Sequence, residues 1–164
     1  MATDAYLYID GVKGESTDSQ HKDWIEIASY SGAAIPTAAE PLKAAAAKQT
    51  NVSQHGSLSI AKHVDSSSPK LYELCSKGTH IKKATIEVMR PSGGKQVKYL
   101  VIEMTDVVIS GFSPDPGPSK KKTHAGKVGA EMPTEQLSLN YSKIQYTYTK
   151  QNDTGSTGQK VAQK

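Results

Sequence analysis

One cysteine, one phenylalanine and one tryptophan are all that these 164 residues carry of three residue types that usually anchor small domains. Each scarcity closes a possibility. A lone thiol, Cys75, can form neither an intrachain disulfide nor a cysteine knuckle for zinc, so stability has to come from packing or from assembly. Long apolar runs are missing too: the run near the start is only Leu7-Tyr8-Ile9, far too short for a membrane span or a signal core. No basic leader precedes it. The expectation is a soluble cytoplasmic chain with no membrane insertion, which would leave a cell only by a route that needs no cleaved leader.

Charge of one sign is also modest. The net charge is +4, and the only dense basic cluster is Lys120-Lys121-Lys122, near His124 and Lys127. No aromatic residues interleave with it, which argues for a solvated loop and against a nucleic-acid partner. What the chain has in quantity is tyrosine, eight of them. Each brings a hydroxyl that needs a polar partner or water, which suits half-buried surfaces, subunit interfaces among them.

Alternation of apolar and polar residues predicts strands over 5–10, 24–30, 57–64, 81–90, 95–105, 106–113 and 135–150. Pro91-Ser92-Gly93-Gly94 reads as a hairpin turn, and the proline-rich 114–127 as a loop that cannot pair in a sheet. In the last strand the phase of the large residues changes near Lys143 and Ile144, predicting a bulge or a passage between two sheets. The strand at 57–64 sets Leu58, Ile60, Lys62 and Val64 on one face. Between the second and third strands, 31–56 is a long alanine- and proline-rich connection, of the kind that acts as an arm reaching a neighbour. One helix is predicted, with a serine N-cap among Ser66-Ser67-Ser68, Pro69 in the first turn and Gly78 past the end. Its Leu71, Leu74 and Cys75 share a face that should lie on the sheet. The fold class is therefore mainly β, a two-sheet barrel with one short flanking helix. Residues 1–150 form the domain and 151–164 a polar, frayed tail.

No cofactor or metal is expected, and no catalytic site. The five histidines include no pair at helical metal-ligand spacing, and His21 with Asp18 and Asp23 lacks the glycine and distal glutamate of a calcium loop. These three read as solvated turn residues. Ser92-Gly93-Gly94-Lys95 lacks the remaining residues of a phosphate-cradling loop, and no Gly-x-Ser-x-Gly elbow occurs. Cys75 reads as a small packing residue rather than a nucleophile.

Three separated segments carry a combination that composition does not. They are Gly11-Val12-Lys13-Gly14-Glu15-Ser16 with His21 and Ile25-Glu26-Ile27; His63-Val64-Asp65-Ser66-Ser67-Ser68-Pro69-Lys70-Leu71 with Cys75, Gly78 and His80; and Leu137-Ser138-Leu139-Asn140-Tyr141-Ser142-Lys143-Ile144 with Tyr148. Together they resemble the Hcp (haemolysin-coregulated protein) family of the bacterial type VI secretion system, in order over nearly the whole chain. The resemblance implies a two-sheet β-barrel protomer, a homo-hexameric ring with an open lumen, and head-to-tail stacking into a tube. It further implies sheath and spike partners, export, effector proteins carried in the lumen, and no catalysis. By match to the family's pattern, Ser31 is the lumen and cargo candidate. A six-fold interface is heterologous, and the arm gives the inter-subunit candidates Tyr30, Ile35, Pro36 and Leu42. The chain departs from the family where many members have a Trp-Ser-Trp-like end to the second strand and a glycine-rich arm. Here Tyr30-Ser31-Gly32-Ala33-Ala34-Ile35-Pro36 makes that arm stiffer and more apolar. The 114–127 loop is also idiosyncratic. An effector-bearing variant of the family would be expected to carry an extra C-terminal domain, and an unrelated oligonucleotide-binding barrel would need aromatic platforms beside a basic groove.

Overall fold

The structure is a computed structural model, and it describes residues 4–34, 55–92, 94–115, 133–151 and 157–163. The strands are β1 (Asp4–Ile9), β2 (Ile25–Ile27), β3 (Ser29–Ala34), β4 (His55–His63), β5 (Ile81–Ser92), β6 (Lys95–Asp115), β7 (Thr134–Gln151) and β8 (Thr157–Gln163), with the helix α1 (Ser68–Lys77) between β4 and β5. The mainly β class with one flanking helix is what the structure shows. Its strands follow a single hydrogen-bonded path, β2-β1-β5-β6-β7-β4-β3, with β8 added to β7. Two sheets are expected from sequence; the described strands instead form one continuous curled sheet.

The curl follows from the chain at Ala28. β2 and β3 lie at opposite ends of the path yet are consecutive in sequence, so the ends of the sheet are tied together. The stretch 24–30, expected as one strand, is broken there: the Ala28 N–H turns to the Ala61 carbonyl at 2.8 Å, and the chain leaves β1 to pair with β4. The connection expected from residue 31 starts later, because 31–34 belong to β3. The rest of that arm, with Ile35, Pro36 and Leu42, lies outside the described residues, as does the Lys120–Lys122 cluster.

The phase change expected near Lys143 and Ile144 is present, and it crosses three strands on one line. Core residues step by three at Ile81 and Ala84, at Met104 and Val107, and at Tyr141 and Ile144. These are cross-strand partners: Ile81 faces Val107, which faces Tyr141, and Ala84 faces Met104, which faces Ile144. The register does not slip at this line. The cause sits in β6, where Asp106 has φ 53°, a left-handed conformation rare for any residue but glycine, asparagine or aspartate. One such residue turns the following side chains to the other face, so β6 runs unbroken through the point where two strands, 95–105 and 106–113, are expected. A true bulge lies nearby in β6: Val88 and Met89 pair with Leu100 and Lys98, leaving Tyr99 unpaired.

The core fills the rolled sheet with aliphatic side chains, among them Leu7, Ile9, Ile25, Ile86, Ile102, Met104 and Leu139, all essentially without exposure. α1 closes one end through Leu71, buried, with Leu74 and Cys75 packed beside it. Cys75 is half-buried, in keeping with a packing role. Gly78 ends the helix in the left-handed conformation, φ 59°, and returns its N–H to the Cys75 carbonyl. The start differs from expectation. Ser67 is the N-cap but its hydroxyl makes no cap hydrogen bond, because it donates to Asp65 Oδ1 instead. Past Gln151 the polar tail is not frayed throughout: 157–163 pair antiparallel with β7 as β8. The hairpin expected between β5 and β6 is present, with Ser92 facing Lys95 and Gly94 at φ 78°.

Candidate functional site

Ser31 lies in the middle of β3, exposed, in a transverse row built by register. It faces Ser59 on β4, and Ser59 in turn faces Ser138 on β7. One row over, Ser29 faces Ala61, which faces Gln136. The alternation that points Leu58, Ile60 and Lys62 into the barrel puts these small residues outward, since period two leaves no other choice. Between the rows lies a shallow open cleft lined by Ser29, Ser31, Ser59, Ile60, Ala61 and Gln136. Ser57 Oγ donates to Asn140 Oδ1 at 2.6 Å and Ser110 Oγ donates to the Ser138 carbonyl at 3.1 Å, so the hydroxyl lattice continues along the face. Among the described residues of β3, β4 and the paired part of β7, the charged pair Lys62 and Glu135 points inward, and the outward positions from Ser29 across to Asn140 carry no charge. Such a surface offers hydrogen bonds over a wide area without selecting for the sign of a partner's charge.

Tyr30 points the other way. It is half-buried against the core, and burial above all, with Tyr99 and Tyr146 nearby, pushes its phenol above the ordinary tyrosine value. It is therefore a strand residue at the rim of the barrel interior rather than part of a free arm.

Two polar clusters were not legible as such in the sequence. The first joins a serine, an aspartate and a histidine: Ser142 Oγ donates to Asp106 Oδ2 at 2.7 Å, and His80 Nδ1 lies 2.7 Å from Asp106 Oδ1. The carboxylate sits between the other two, so the serine proton is given to the aspartate and no base faces the hydroxyl, unlike a nucleophile paired with its base. These contacts hold the Asp106 carboxyl below the usual range, the Ser142 hydrogen bond first and His80 second. What the cluster does is brace the left-handed kink.

The second centres on His21, which the sequence reading leaves as a solvated turn residue. It is fully buried. Its Nδ1 lies 2.7 Å from Asp18 Oδ1 and its Nε2 2.8 Å from Glu87 Oε2. The ring stacks on Tyr6 at 4.3 Å with its edge against Trp24. No local pattern separates such a histidine from an exposed one, because Glu87 is 66 residues away. The hydrogen bond from His21 is the main reason that the Asp18 carboxyl is held below the ordinary aspartate value of 3.8. A depressed carboxylate stabilises the fold above its unfolded value and loses that contribution as pH falls through its folded one. The stability difference between the protein and Asp18→Asn should thus shrink as pH falls below about 4. Thermal unfolding across that range checks it, and a difference independent of pH would refute the assignment.

On α1, Glu73 is pulled down to about 2 by Lys77 and then Lys70, with Nζ–O distances of 2.5 and 3.0 Å. All three are solvent-facing, where ion pairs contribute little. Glu73→Gln is expected to leave the melting temperature unchanged within error.

Residues 6–148 match the family model described as type VI secretion system effector, Hcp. This chain belongs to the Hcp family. It is 30% identical over 157 residues to protein hcp1 of Pseudomonas aeruginosa, a match that covers 95% of this chain and 89% of that protein. In three dimensions it is similar to Hcp1 from Salmonella typhimurium, with a TM-score of 0.72 at 28% identity over 99% of this chain and 92% of that one. It also shares its fold with a type VI secretion system effector from Yersinia pestis, with a TM-score of 0.70 at 23% identity over 98% and 97% of the two chains. The Hcp family is one of type VI secretion, and this chain is one of its proteins. Among the described residues no helix is long and apolar enough to cross a membrane, and no group of histidine, cysteine and acidic side chains is placed to hold a metal ion.

Proposed function

We propose that this chain is a structural subunit of the type VI inner tube. In this reading six copies close a ring, rings stack head to tail, and the ring is exported with effector proteins held in its lumen, working with sheath and spike components. The observation that carries the reading is the uncharged, hydroxyl-covered outer face of β3, β4 and β7, with Ser31 in its serine row on the edge strand β3. A tube that passes varied proteins needs an inner wall that makes many weak hydrogen bonds and no strong selective ones. Family membership over residues 6–148 supports the same role, and that role involves no catalysis and no cofactor.

Electron microscopy of the purified full chain tests the assembly, with six-fold rings expected and a compact monomer overturning it. Cargo is tested separately. Ser31→Phe should keep the ring while cutting retention of a co-expressed effector, because a bulky ring raised from the serine row blocks close approach. Retention equal to the parent protein would remove Ser31 as a lumen determinant. Deletion of 38–48, within the arm, should weaken the ring, and an unchanged mass by light scattering would show that the arm does not hold neighbours together.

A further inference from the structure

The buried His21 has a geometry that the tube role does not use. Both ring nitrogens face carboxylate oxygens, Nδ1 toward Asp18 and Nε2 toward Glu87. An ionised carboxylate only accepts hydrogen bonds, and a neutral imidazole has only one N–H to give. Two such contacts at 2.7 and 2.8 Å are both hydrogen bonds only if the ring carries both protons. The surroundings suit a cation. Asp18 comes from the loop that joins β1 to β2, and Glu87 from β5, where it also meets Lys98 Nζ of β6 at 2.7 Å. Tyr6 of β1, stacked on the ring, has Asp18, Asp4 and Glu26 as its charged neighbours. Trp24 presses against the ring from the far end of the loop. The ring itself thus meets two carboxylates, one of them shared with a lysine.

The ring is one of the long-range links of this loop, beside the Asp10 N–H, which donates to the Lys83 carbonyl of β5 at 3.1 Å, and Glu15 Oε1, which accepts from the Ser66 N–H at 3.0 Å. The remaining loop hydrogen bonds are mostly internal: Gly14 N–H to the Asp23 carbonyl, Ser16 N–H to the Trp24 carbonyl, and Asp23 N–H to the Ser16 carbonyl. We propose that His21 is a proton-operated clasp, which locks the 16–24 half of the loop onto β5 while both ring nitrogens carry hydrogens and releases it when one is lost. A ring that has given up a proton turns a bare lone pair toward one carboxylate, so that one contact changes from attraction to repulsion. The bound proton and the closed loop then favour each other, and the clasp is engaged at the acid side of the His21 titration and undone as pH rises through it.

The purified full chain provides the test. The His21 ring signals would be followed by NMR as pH is raised, and the hydrogen exchange of the Gly14, Ser16, Asp23 and Trp24 amides measured over the same range, corrected for intrinsic rates. The expected result is a doubly protonated ring on the acid side, and protection of these amides that falls as pH rises toward the ring's midpoint and levels off beyond it, while β5 amides keep theirs. Glu87→Gln supplies the control. A glutamine amide can donate to a bare Nε2, so in this variant the loop should stay protected after His21 has lost its proton. The proposal is overturned by a singly protonated ring throughout, by loop protection that ignores the titration, or by a Glu87→Gln protein with the same pH dependence as the parent.

Discussion

Lys62→Ala is expected to lose about 3–5 kcal/mol of folding stability, a large part of what a domain of this size possesses. Lys62 is fully buried near the end of β4. Its Nζ meets four acceptors, Glu135 Oε1 at 2.5 Å, the His63 carbonyl at 2.8 Å, Asp65 Oδ1 at 2.9 Å and, more distantly, Ser68 Oγ at 3.3 Å, so each of the three ammonium protons has a partner. Ser68 Oγ also donates to Glu135 Oε1 at 2.6 Å and accepts from the Asp65 N–H at 3.1 Å, so the network ties the first turn of α1 to β4 and β7. Removing the lysine strands the Glu135 carboxylate, 2% exposed, without its cation. Replacing both ions is different in kind. Lys62→Met with Glu135→Leu removes the fully buried pair and fills the space, leaving Asp65, 13% exposed, with the two hydrogen bonds it accepts from Ser67, and it should cost less than the single truncation, because most of the expense of the single change is the unpaired Glu135 charge. Urea unfolding of the two proteins decides it. Equal losses would mean that the cluster acts through packing alone.

Gly14→Ala is expected to destabilise by about 3 kcal/mol, at the upper end for overpacking. A Cβ at this position would sit 2.3 Å from the Trp24 carbonyl oxygen and 2.7 Å from the Ile25 Cα. Both are backbone atoms, so no side chain can move aside. The loop strands 14–16 and 23–24 would have to part, and with them the hydrogen bonds that join them and the seat of His21. Gly11 provides the comparison. It has φ 81° but nothing within 4 Å of a Cβ, so Gly11→Ala carries only the backbone strain of a left-handed residue, about 1 kcal/mol. Equal urea midpoints for the two variants would contradict the close approach at Gly14.

Much of this protein was readable from local pattern. The alternation at 57–64 placed Lys62 on the apolar face with Leu58 and Ile60, and Lys62 is indeed buried there, though Val64 emerges 41% exposed at the strand's end. The helix was marked at both ends by Pro69 and Gly78, and the apolar face of Leu71, Leu74 and Cys75 was set by spacing alone. The phase change in the last strand was visible as well. Its cause was not, since it resides in Asp106 of the facing strand, and whether an aspartate adopts a left-handed φ depends on what its carboxylate meets. Ser31 was singled out by its place in a family pattern, while the serine row in which it stands exists only through the pairing of β3, β4 and β7.

Periodicity, punctuation and residue chemistry determined the β class, the single helix, the hairpin at Ser92 to Lys95 and the inward side of each strand, because these are properties of neighbours along the chain. Tertiary structure alone decided that the strands form one curled sheet tied at Ala28, that His21 is a buried bridge between Asp18 and Glu87, and that Lys62 meets Glu135 from 73 residues away. The physical reason is the same in each case. A buried charge is tolerable only beside its partner, a sheet closes only where its edges meet, and both conditions concern residues that the sequence keeps far apart.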